Sequence, residues 1–339
     1  MRVEDFNYEL PERLIAQVPL KDRSSSRLMV VDRKKELIKH HHFYDIVDML
    51  DENCVLVIND TKVLPSRIYG EKVDTHAKIE ILLLKEIDGY WEALVKPARR
   101  VKAGTVIDFS GLFQGEIIEK FDEGICHIKF VYEGIFLEKL EKLGEMPLPP
   151  YIHEKLDEKD RYQTVYASNL GSAAAPTAGL HFTNEILEKL EKKNIKIYHV
   201  TLHIGLGTFR PVSVDKIEDH VMHSEHYYIK EDVAEALNKA KKEGKKIISV
   251  GTTTTRTLES VYKKYGKFVA CSEDTNIFIF PGYKFEAIDG LITNFHLPKS
   301  TLLMLVSAFS SKELMLKAYS EAVKEEYRFF SFGDCMYIK

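Results

Sequence analysis

The sequence has little of several features that would narrow its function at once. Its 339 residues include four cysteines, Cys54, Cys126, Cys271 and Cys335, which lie far apart and form no Cys-x-x-Cys pair. A disulfide framework and a zinc knuckle are therefore not indicated, and reduced buried thiols are expected. Apolar runs of about 18 residues are missing, which argues against a membrane span. The N-terminus has no apolar secretory core, so we expect a cytoplasmic protein.

Positive charge is not in excess either. The chain has 48 basic and 52 acidic residues, which gives a net charge of −4. Global attraction to nucleic acid is therefore not predicted, and any RNA contact must come from a local cluster of cations. Lys96, Arg99, Arg100 and Lys102 form such a cluster. It is suited to phosphate contact, although a charged solvent face explains it equally well.

Hydrophobic patterning divides the chain into two parts. In residues 1–65 and 151–339, short apolar runs such as 54–58 alternate with amphipathic helical patterns, which predicts an α/β domain with a mostly parallel sheet. Between them, short alternating runs separated by glycines, including Gly70 and Gly115, predict a small antiparallel barrel. The predicted fold is an α/β main domain, residues 1–65 and 151–339, with an inserted all-β small barrel, residues 66–150.

One strand-to-helix segment of the α/β part favours anion binding. Residues 247–250 predict a strand that enters a polar loop and then a helix, and Thr252, Thr253, Thr254 and Arg256 lie in that loop region. Ligands of α/β sheets bind at strand ends, and a helix N-terminus favours anions. A carboxylate or a phosphate would fit, whereas threonines that merely cap the helix are the alternative.

Two further segments offer histidines for proton transfer. His181 follows Thr177 in a run of small residues, 171–182, which suits either the close approach of a ligand or a tightly packed turn. His203 shares one face of a predicted strand with His199 and Thr201, because side chains in a strand alternate with period two. That face either lines a cavity or holds two structural histidines.

A second strand-end loop carries Asn294, His296 and Lys299 ahead of a helix that Ser300 is suited to cap. The three histidines within 220–226 are close enough to suggest zinc, but their spacing matches no zinc signature and no fourth ligand stands out. We therefore expect no metal.

Eleven ordered stretches run almost from one end of the chain to the other. They are residues 14–17, 26–28, 59–63, 95–101, 144–152, 161–166, 175–182 (APTAGLHF), 201–209 (TLHIGLGTF), 280–283, 293–305 and 330–334 (FSFGD). Together they resemble the S-adenosylmethionine:tRNA ribosyltransferase-isomerase family of queuosine biosynthesis. The resemblance implies an α/β domain with a β-barrel insert, in agreement with the patterning.

The resemblance also implies a reaction. The ribosyl group of S-adenosylmethionine would be transferred and isomerised onto 7-aminomethyl-7-deazaguanine at the wobble position of tRNA, giving epoxyqueuosine, adenine and methionine. S-adenosylmethionine would be a cosubstrate, with no metal and no membrane partner, and we expect a monomer. An RNA methyltransferase and a non-catalytic tRNA-binding protein are the alternatives.

Roles for individual residues follow from these motifs as expectations. The candidate acids and bases are His181, His203 and His296. The candidate substrate-binding residues are Thr177, Thr252, Thr253, Thr254, Arg256, Asn294 and Lys299. The candidate RNA-binding residues are Lys96, Arg99, Arg100 and Lys102.

Overall fold

A computed structural model describes residues 1–339 except 155, 157 and 206–211. Its strands are β1 Arg27–Asp32, β2 Leu37–His42, β3 Cys54–Asn59, β4 Thr61–Val63, β5 Arg67–Lys72, β6 Lys78–Ile87, β7 Tyr90–Lys96, β8 Val106–Phe109, β9 Phe113–Lys120, β10 Ile125–Val131, β11 Asn169–Ser172, β12 Lys196–Leu202, β13 Glu225–Ile229, β14 Lys246–Val250, β15 Cys271–Thr275, β16 Gly290–Asn294 and β17 Cys335–Ile338. Its α-helices are α1 Ile46–Met49, α2 Phe136–Leu143, α3 Asn184–Lys192, α4 Glu231–Lys242, α5 Gly251–Tyr265, α6 Thr301–Phe309 and α7 Lys312–Lys324.

The chain divides into two compact units. One, here the main unit, comprises residues 1–62, 150–169 and 175–339, and the other, the barrel unit, comprises residues 63–149 and 170–174. Among the described residues, no helix has the length and apolarity that crossing a membrane would require.

The barrel unit contains the small antiparallel barrel that the sequence predicts. Its strands close in the order β10-β7-β6-β5-β8-β9, with every pairing between them antiparallel. Gly70 and Gly115, which the sequence marks as breaks, lie inside β5 and β9 instead. The reason is space, since a Cβ at Gly70 would lie 2.7 Å from the backbone oxygen of Asp108 in the neighbouring strand.

The main unit contains a large mixed sheet. In the described residues its order is β15-β13-β12-β3-β14-β16-β17-β1-β2. The four strands β12, β3, β14 and β16 are parallel, as is the β1–β17 pair, whereas all other pairs are antiparallel. The prediction of a mostly parallel sheet is therefore wrong, because antiparallel pairs lie at both edges and also inside the sheet, between β16 and β17.

Helices cover both faces of this sheet. Ile248 and Val250 pack in one apolar cluster with Ile186 of α3. Ser249, between them, hydrogen-bonds Thr255 of α5 at 2.9 Å. Because successive side chains of a strand point to opposite faces, α3 and α5 lie on opposite sides of β14. Thr183 caps α3 by accepting the N–H of residue 186.

Candidate functional site

The carboxyl ends of the four parallel strands meet at one edge of the sheet, which we call the carboxyl edge. β12, β3, β14 and β16 end there at Leu202, Asn59, Val250 and Asn294. The chain reaches β12 from β3 through α3, and it reaches β16 from β14 through α5, on the opposite face. From the neighbouring strands β3 and β14, the two crossovers therefore lead in opposite directions along the sheet. Such a position is called a topological switch point, and open α/β sheets bind ligands there.

Polar side chains at this switch point form a first network, here the Asp60 network. The carboxylate oxygen Oδ1 of Asp60 accepts the hydroxyl of Thr201 at 2.6 Å. Thr61 Oγ1 lies 2.8 Å from His203 Nδ1, and Asn59 Oδ1 accepts the N–H of Thr61 at 3.1 Å. The sequence predicts that Thr201 and His203 share one face of a strand. In the structure Thr201 bonds Asp60 and His203 contacts the next residue, Thr61, which is consistent with that prediction.

The carboxylate of Asp60 is buried yet stays ionised. Its residue is 4% exposed, and its Oδ2 lies 3.3 Å from the Ser168 hydroxyl and 3.7 Å from His199 Nδ1. Burial alone would raise the pKa of Asp60, but hydrogen bonds from His199 and Thr201 lower it below the ordinary value. A negative charge therefore sits at the switch point near neutral pH.

The first turn of α5 follows β14 without the polar loop that the sequence predicts. Gly251 adopts a φ of +86°, which turns the strand directly into the helix. Thr252, Thr253 and Thr254 are therefore buried helical residues, and none acts as the N-cap. Thr254 donates to a carbonyl of the preceding strand at 2.6 Å, while Thr253 Oγ1 accepts from the Asn59 amide at 3.2 Å. The backbone N–H groups of this turn point to the carboxyl edge, where they favour an anion.

Arg256 lies one turn further along α5 and already has an anionic partner. Its Nη1 forms a buried ion pair with Glu225, and its Nε donates to the Ile277 carbonyl at 3.4 Å. The same glutamate accepts the N–H of Gly205 through Oε1 at 3.2 Å. The positive charge of Arg256 is therefore largely neutralised within the protein, and only Nη2 has no hydrogen-bond partner among the described residues.

His181 belongs to a second network near the ends of β16, β17 and β1. Its Nδ1 lies 2.7 Å from Ser26 Oγ, and its Nε2 lies 3.1 Å from Asn294 Oδ1. Asn294 donates its amide to the Phe330 carbonyl at 2.7 Å, so its oxygen is left to accept from His181. Burial, and then the charge of Arg23, lower the pKa of His181 well below its usual value. The imidazole is neutral, with both ring nitrogens engaged.

His296 and Lys299 lie apart from these networks. His296 Nε2 contacts Thr293 Oγ1 at 3.0 Å, its backbone N–H donates to Tyr319, and burial lowers its pKa to about 3. Lys299 pairs with Glu4 at 2.7 Å on the surface. The structure thus does not join the three candidate histidines in a single constellation.

His203 differs from the other two candidate histidines in its surroundings. It is partly exposed, and burial followed by the charge of His226 lowers its pKa. Its Nδ1 faces Thr61, as described above.

The run of small residues lies beside the Asp60 network. Thr177 begins a 3₁₀ helix, Thr177–His181, and is partly exposed. A Cβ on Gly179 would lie 2.0 Å from the hydroxyl oxygen of Tyr166 and 2.8 Å from Cγ2 of Thr164. The hydroxyls of Tyr166 and Thr164 are buried and have no hydrogen-bond partner among the described residues. Glycine is therefore required here for the close approach of these two side chains.

The basic cluster lies on the barrel unit around a 3₁₀ turn, Ala98–Arg100. Lys96, Arg99, Arg100 and Lys102 are all exposed. Lys120 donates to the backbone carbonyls of residues 98 and 101 at 2.8 and 3.3 Å, which fixes the loop from beneath. The arrangement presents several cations on an ordered loop, as phosphate binding requires.

Two sequence features remain, the histidines within residues 220–226 and the 201–209 motif. In the described part of the chain, no group of three or more His, Cys, Asp or Glu side chains could hold a metal ion. His220 packs on Phe278, and His226 contacts Asp274 at 2.7 Å. Residues 206–211, which include the second half of the 201–209 motif, lie outside the described residues.

Sequence reasoning did not select several residues of this edge. Asp60 had a usable signal, because it directly follows a buried strand, but Asn59 and Asp60 read locally as a turn. β4 in fact begins at once, at residue 61. Arg23, Ser26 and Glu225 had no such signal, since their partners are distant in the sequence.

Comparisons with known proteins cover the whole chain. A family model described as "Queuosine biosynthesis protein" matches residues 3–338. A curated protein of Staphylococcus haemolyticus, named S-adenosylmethionine:tRNA ribosyltransferase-isomerase, is 59% identical over 340 residues, which are 100% of both chains. A crystal structure from Thermotoga maritima, titled S-adenosylmethionine tRNA ribosyltransferase, is 36% identical, covers 99% of this chain and 100% of its own, and has a TM-score of 0.58.

Proposed function

From the premise that this chain belongs to the queuosine biosynthesis protein family, we propose that it acts as an S-adenosylmethionine:tRNA ribosyltransferase-isomerase. The observation that carries the proposal is the 59% identity, without gaps in coverage, to a relative of that name. The family predicted from the sequence motifs is thereby confirmed. The enzyme is a transferase and isomerase of tRNA modification.

The finer reaction is part of the proposal. The ribosyl group of S-adenosylmethionine is transferred to the aminomethyl nitrogen of 7-aminomethyl-7-deazaguanine at the wobble position of tRNA. The sulfonium acidifies the C5′ protons, a base removes one, and adenine leaves as the ribose ring opens. The aminomethyl nitrogen attacks the opened sugar and loses a proton, the carbon skeleton closes again as a cyclopentane, and loss of methionine leaves the epoxide of epoxyqueuosine. The protein has to supply a base, an acid for adenine and an oriented, water-poor cleft.

We assign the methionyl carboxylate to the first turn of α5. The N–H groups of Gly251, Thr252 and Thr253, which precede the first intrahelical hydrogen bond, lie at the carboxyl edge, and the helix dipole adds positive potential there. Thr254 follows them in the same turn and is the fourth residue of this proposed contact. Arg256 pairs with Glu225 and so holds the helix in position. Because that pair already neutralises much of its charge, we do not assign Arg256 to the methionyl carboxylate itself. Thr177, which is partly exposed beside the same edge, is a further contact of the substrate.

Of the three histidines, His203 fits proton transfer best. It is partly exposed at the carboxyl edge, and its lowered pKa keeps it neutral, as a base must be near pH 7. His181 and His296 are fully buried, and both ring nitrogens of His181 are hydrogen-bonded. We therefore place these two, with Asn294, in support of the edge. Lys299, paired with Glu4 on the surface, is the weakest of the substrate-binding candidates.

The RNA contact is assigned to the barrel unit. Lys96, Arg99, Arg100 and Lys102 are exposed on a loop that Lys120 holds in place. Since the net charge of the whole chain is −4, this local cluster has to provide the attraction to the anticodon stem-loop.

The decisive experiment incubates the purified protein with S-adenosylmethionine and an anticodon stem-loop that carries 7-aminomethyl-7-deazaguanine. Mass spectrometry of the RNA should show the added epoxycyclopentane group, and chromatography should show adenine and methionine in equal amounts. An unmodified stem-loop with guanine at the same position is the control and should release no adenine. S-adenosylhomocysteine among the products would instead identify a methyltransferase, and RNA binding without any small product would identify a non-catalytic binder.

A further inference from the structure

We propose that Asp60 is the counter-ion for the sulfonium of the nucleoside substrate, a role that rests on the proposed function. The carboxylate lies at the switch point of the sheet, directly after β3, where the geometry places the ligand. Among the residues that the structure describes, no lysine or arginine forms an ion pair with it. A buried carboxylate that has a half-exposed histidine beside it, and no Lys or Arg partner among the described residues, attracts a cationic ligand.

The surroundings of Asp60 hold the charge without cancelling it. Thr201 and Ser168 donate hydroxyl protons, at 2.6 and 3.3 Å. His199 Nδ1 lies 3.7 Å from the carboxylate, and its side chain is 42% exposed. Neutral donors orient a carboxylate and favour its ionised form, and they leave its attraction for a positive ligand in place.

The adjoining wall has donors that lack partners. The hydroxyls of Thr164 and Tyr166 are buried and unpaired among the described residues, and both pack on Gly179. The Tyr166 ring lies 6.0 Å from the ring of His199, which in turn lies 3.7 Å from the Asp60 carboxylate. Buried hydroxyls without partners are costly, so a ligand that offers oxygen or nitrogen acceptors would be favoured there.

Charge alternates along the edge in the same order as in the ligand. The positive N-terminus of α5 and the negative Asp60 are linked by Asn59, whose amide donates to Thr253 at 3.2 Å. The methionyl part of S-adenosylmethionine has a carboxylate at one end and a sulfonium at the other. Binding the carboxylate at α5 would bring the sulfonium toward Asp60.

This arrangement predicts discrimination by charge. S-adenosylhomocysteine has the same shape apart from one methyl group, but its sulfur is neutral. A unit charge about 5 Å from the carboxylate, at an effective dielectric constant of about 20, corresponds to a preference of roughly two hundredfold for the sulfonium, and the cost of desolvating the sulfonium reduces this to on the order of ten- to hundredfold. Replacing Asp60 by asparagine should remove this preference while keeping most of the hydrogen bonds.

The test is calorimetric titration of the full chain with S-adenosylmethionine and with S-adenosylhomocysteine. The wild-type protein should bind the sulfonium at least tenfold more tightly. In Asp60→Asn the Kd for S-adenosylmethionine should rise on the order of ten- to hundredfold, while the Kd for S-adenosylhomocysteine should change by less than about threefold. Thr201→Val removes a hydrogen bond to Asp60 but no charge, and it should preserve the preference. Asp274→Asn, which removes an exposed carboxylate paired with His226, is the charge-matched control.

Two results would overturn the assignment. If Asp60→Asn weakens both ligands equally, the residue is not the counter-ion of the sulfonium, because its effect then comes from a group that both ligands share, such as the α-ammonium, or from the fold of the edge. If the wild-type protein binds both ligands equally, the sulfonium has no counter-ion here, a conclusion that needs no variant and leaves the proposed function standing. If it binds neither ligand, the proposed function fails together with this inference.

Discussion

Replacing Arg256 by methionine should destabilise the protein far more than a substrate-binding role would require. The substitution removes the guanidinium that pairs with Glu225, whose side chain is 3% exposed. Removing one member of a buried ion pair costs about 3–5 kcal/mol, because the remaining charge keeps its desolvation penalty. For a unit of this size, that loss lowers the Tm on the order of 10 °C.

A double-mutant cycle separates the interaction energy of the Arg256–Glu225 pair from the contribution that each residue makes on its own. Glu225→Gln keeps an acceptor for the Gly205 N–H but leaves Arg256 charged, so it should also be costly. The double variant Glu225→Gln, Arg256→Met has no buried charge left, and its loss should be smaller than the sum of the single losses by about 2 kcal/mol. Urea denaturation followed by circular dichroism gives the free energy of unfolding of all four proteins.

The same proteins report on function through the KM for S-adenosylmethionine. If Arg256 acts through the pair, the double variant should recover much of the substrate affinity that Arg256→Met loses. The reasoning is refuted if Arg256→Met is as stable as wild type while its KM rises tenfold or more. In that case the guanidinium binds substrate directly and its contact with Glu225 contributes little.

Three shorter predictions follow from other parts of the molecule. Because burial lowers the pKa of His296 to about 3, its folded form resists protonation, and the free energy of unfolding should fall by about 2 kcal/mol between pH 7 and pH 5 from this residue alone. His296→Gln should lose that part of the pH dependence. Arg99→Ala with Arg100→Ala should reduce the slope of log K against log salt for the stem-loop by about 1–2. Gly179→Ala should displace Tyr166, raise the KM for S-adenosylmethionine and cost about 1–3 kcal/mol of stability.

Each of these has its own control. For the pH effect, stability is complete above the unfolded pKa of about 6.5 and is lost as the pH falls toward 3, so a variant with an unchanged pH profile would contradict it. Lys189→Ala with Lys192→Ala removes the same charge from α3 and should leave the salt slope unchanged. A Gly179→Ala protein with wild-type stability and KM would show that Tyr166 relaxes without consequence.

Local patterns predicted the small antiparallel barrel and some of the strands, including those at residues 54–58 and 247–250. The barrel follows from short alternating runs, because alternation along a strand reports which side chains are buried. Gly70 and Gly115 were wrongly predicted to separate strands. A glycine that ends a strand and one that permits close strand packing look alike in sequence. The antiparallel edges of the main sheet also depend on long-range pairing, which local periodicity does not encode.

The sequence singled out the polar segments at the ends of β12, β14 and β16, and these strand ends lie along one edge of the sheet. It did not single out the end of β3, where Asp60 lies, and the roles of the individual residues stay predictions. The sequence could not predict which of those side chains are free to contact a substrate and which are already bound to other side chains of the protein. Arg256 is paired with Glu225, and His181 is held by Ser26 and Asn294, through contacts between residues far apart in the chain.

The position of β17 has a consequence for the order in which the main sheet assembles. The strand Cys335–Ile338 lies between β16 and β1, and its register aligns Cys335 with Leu28. On the ribosome, the β1–β2 hairpin therefore emerges early but gains this neighbour only after residues 335–338 have been translated. Until then one flank of β1 is an open edge, and a non-local pairing of this kind slows folding.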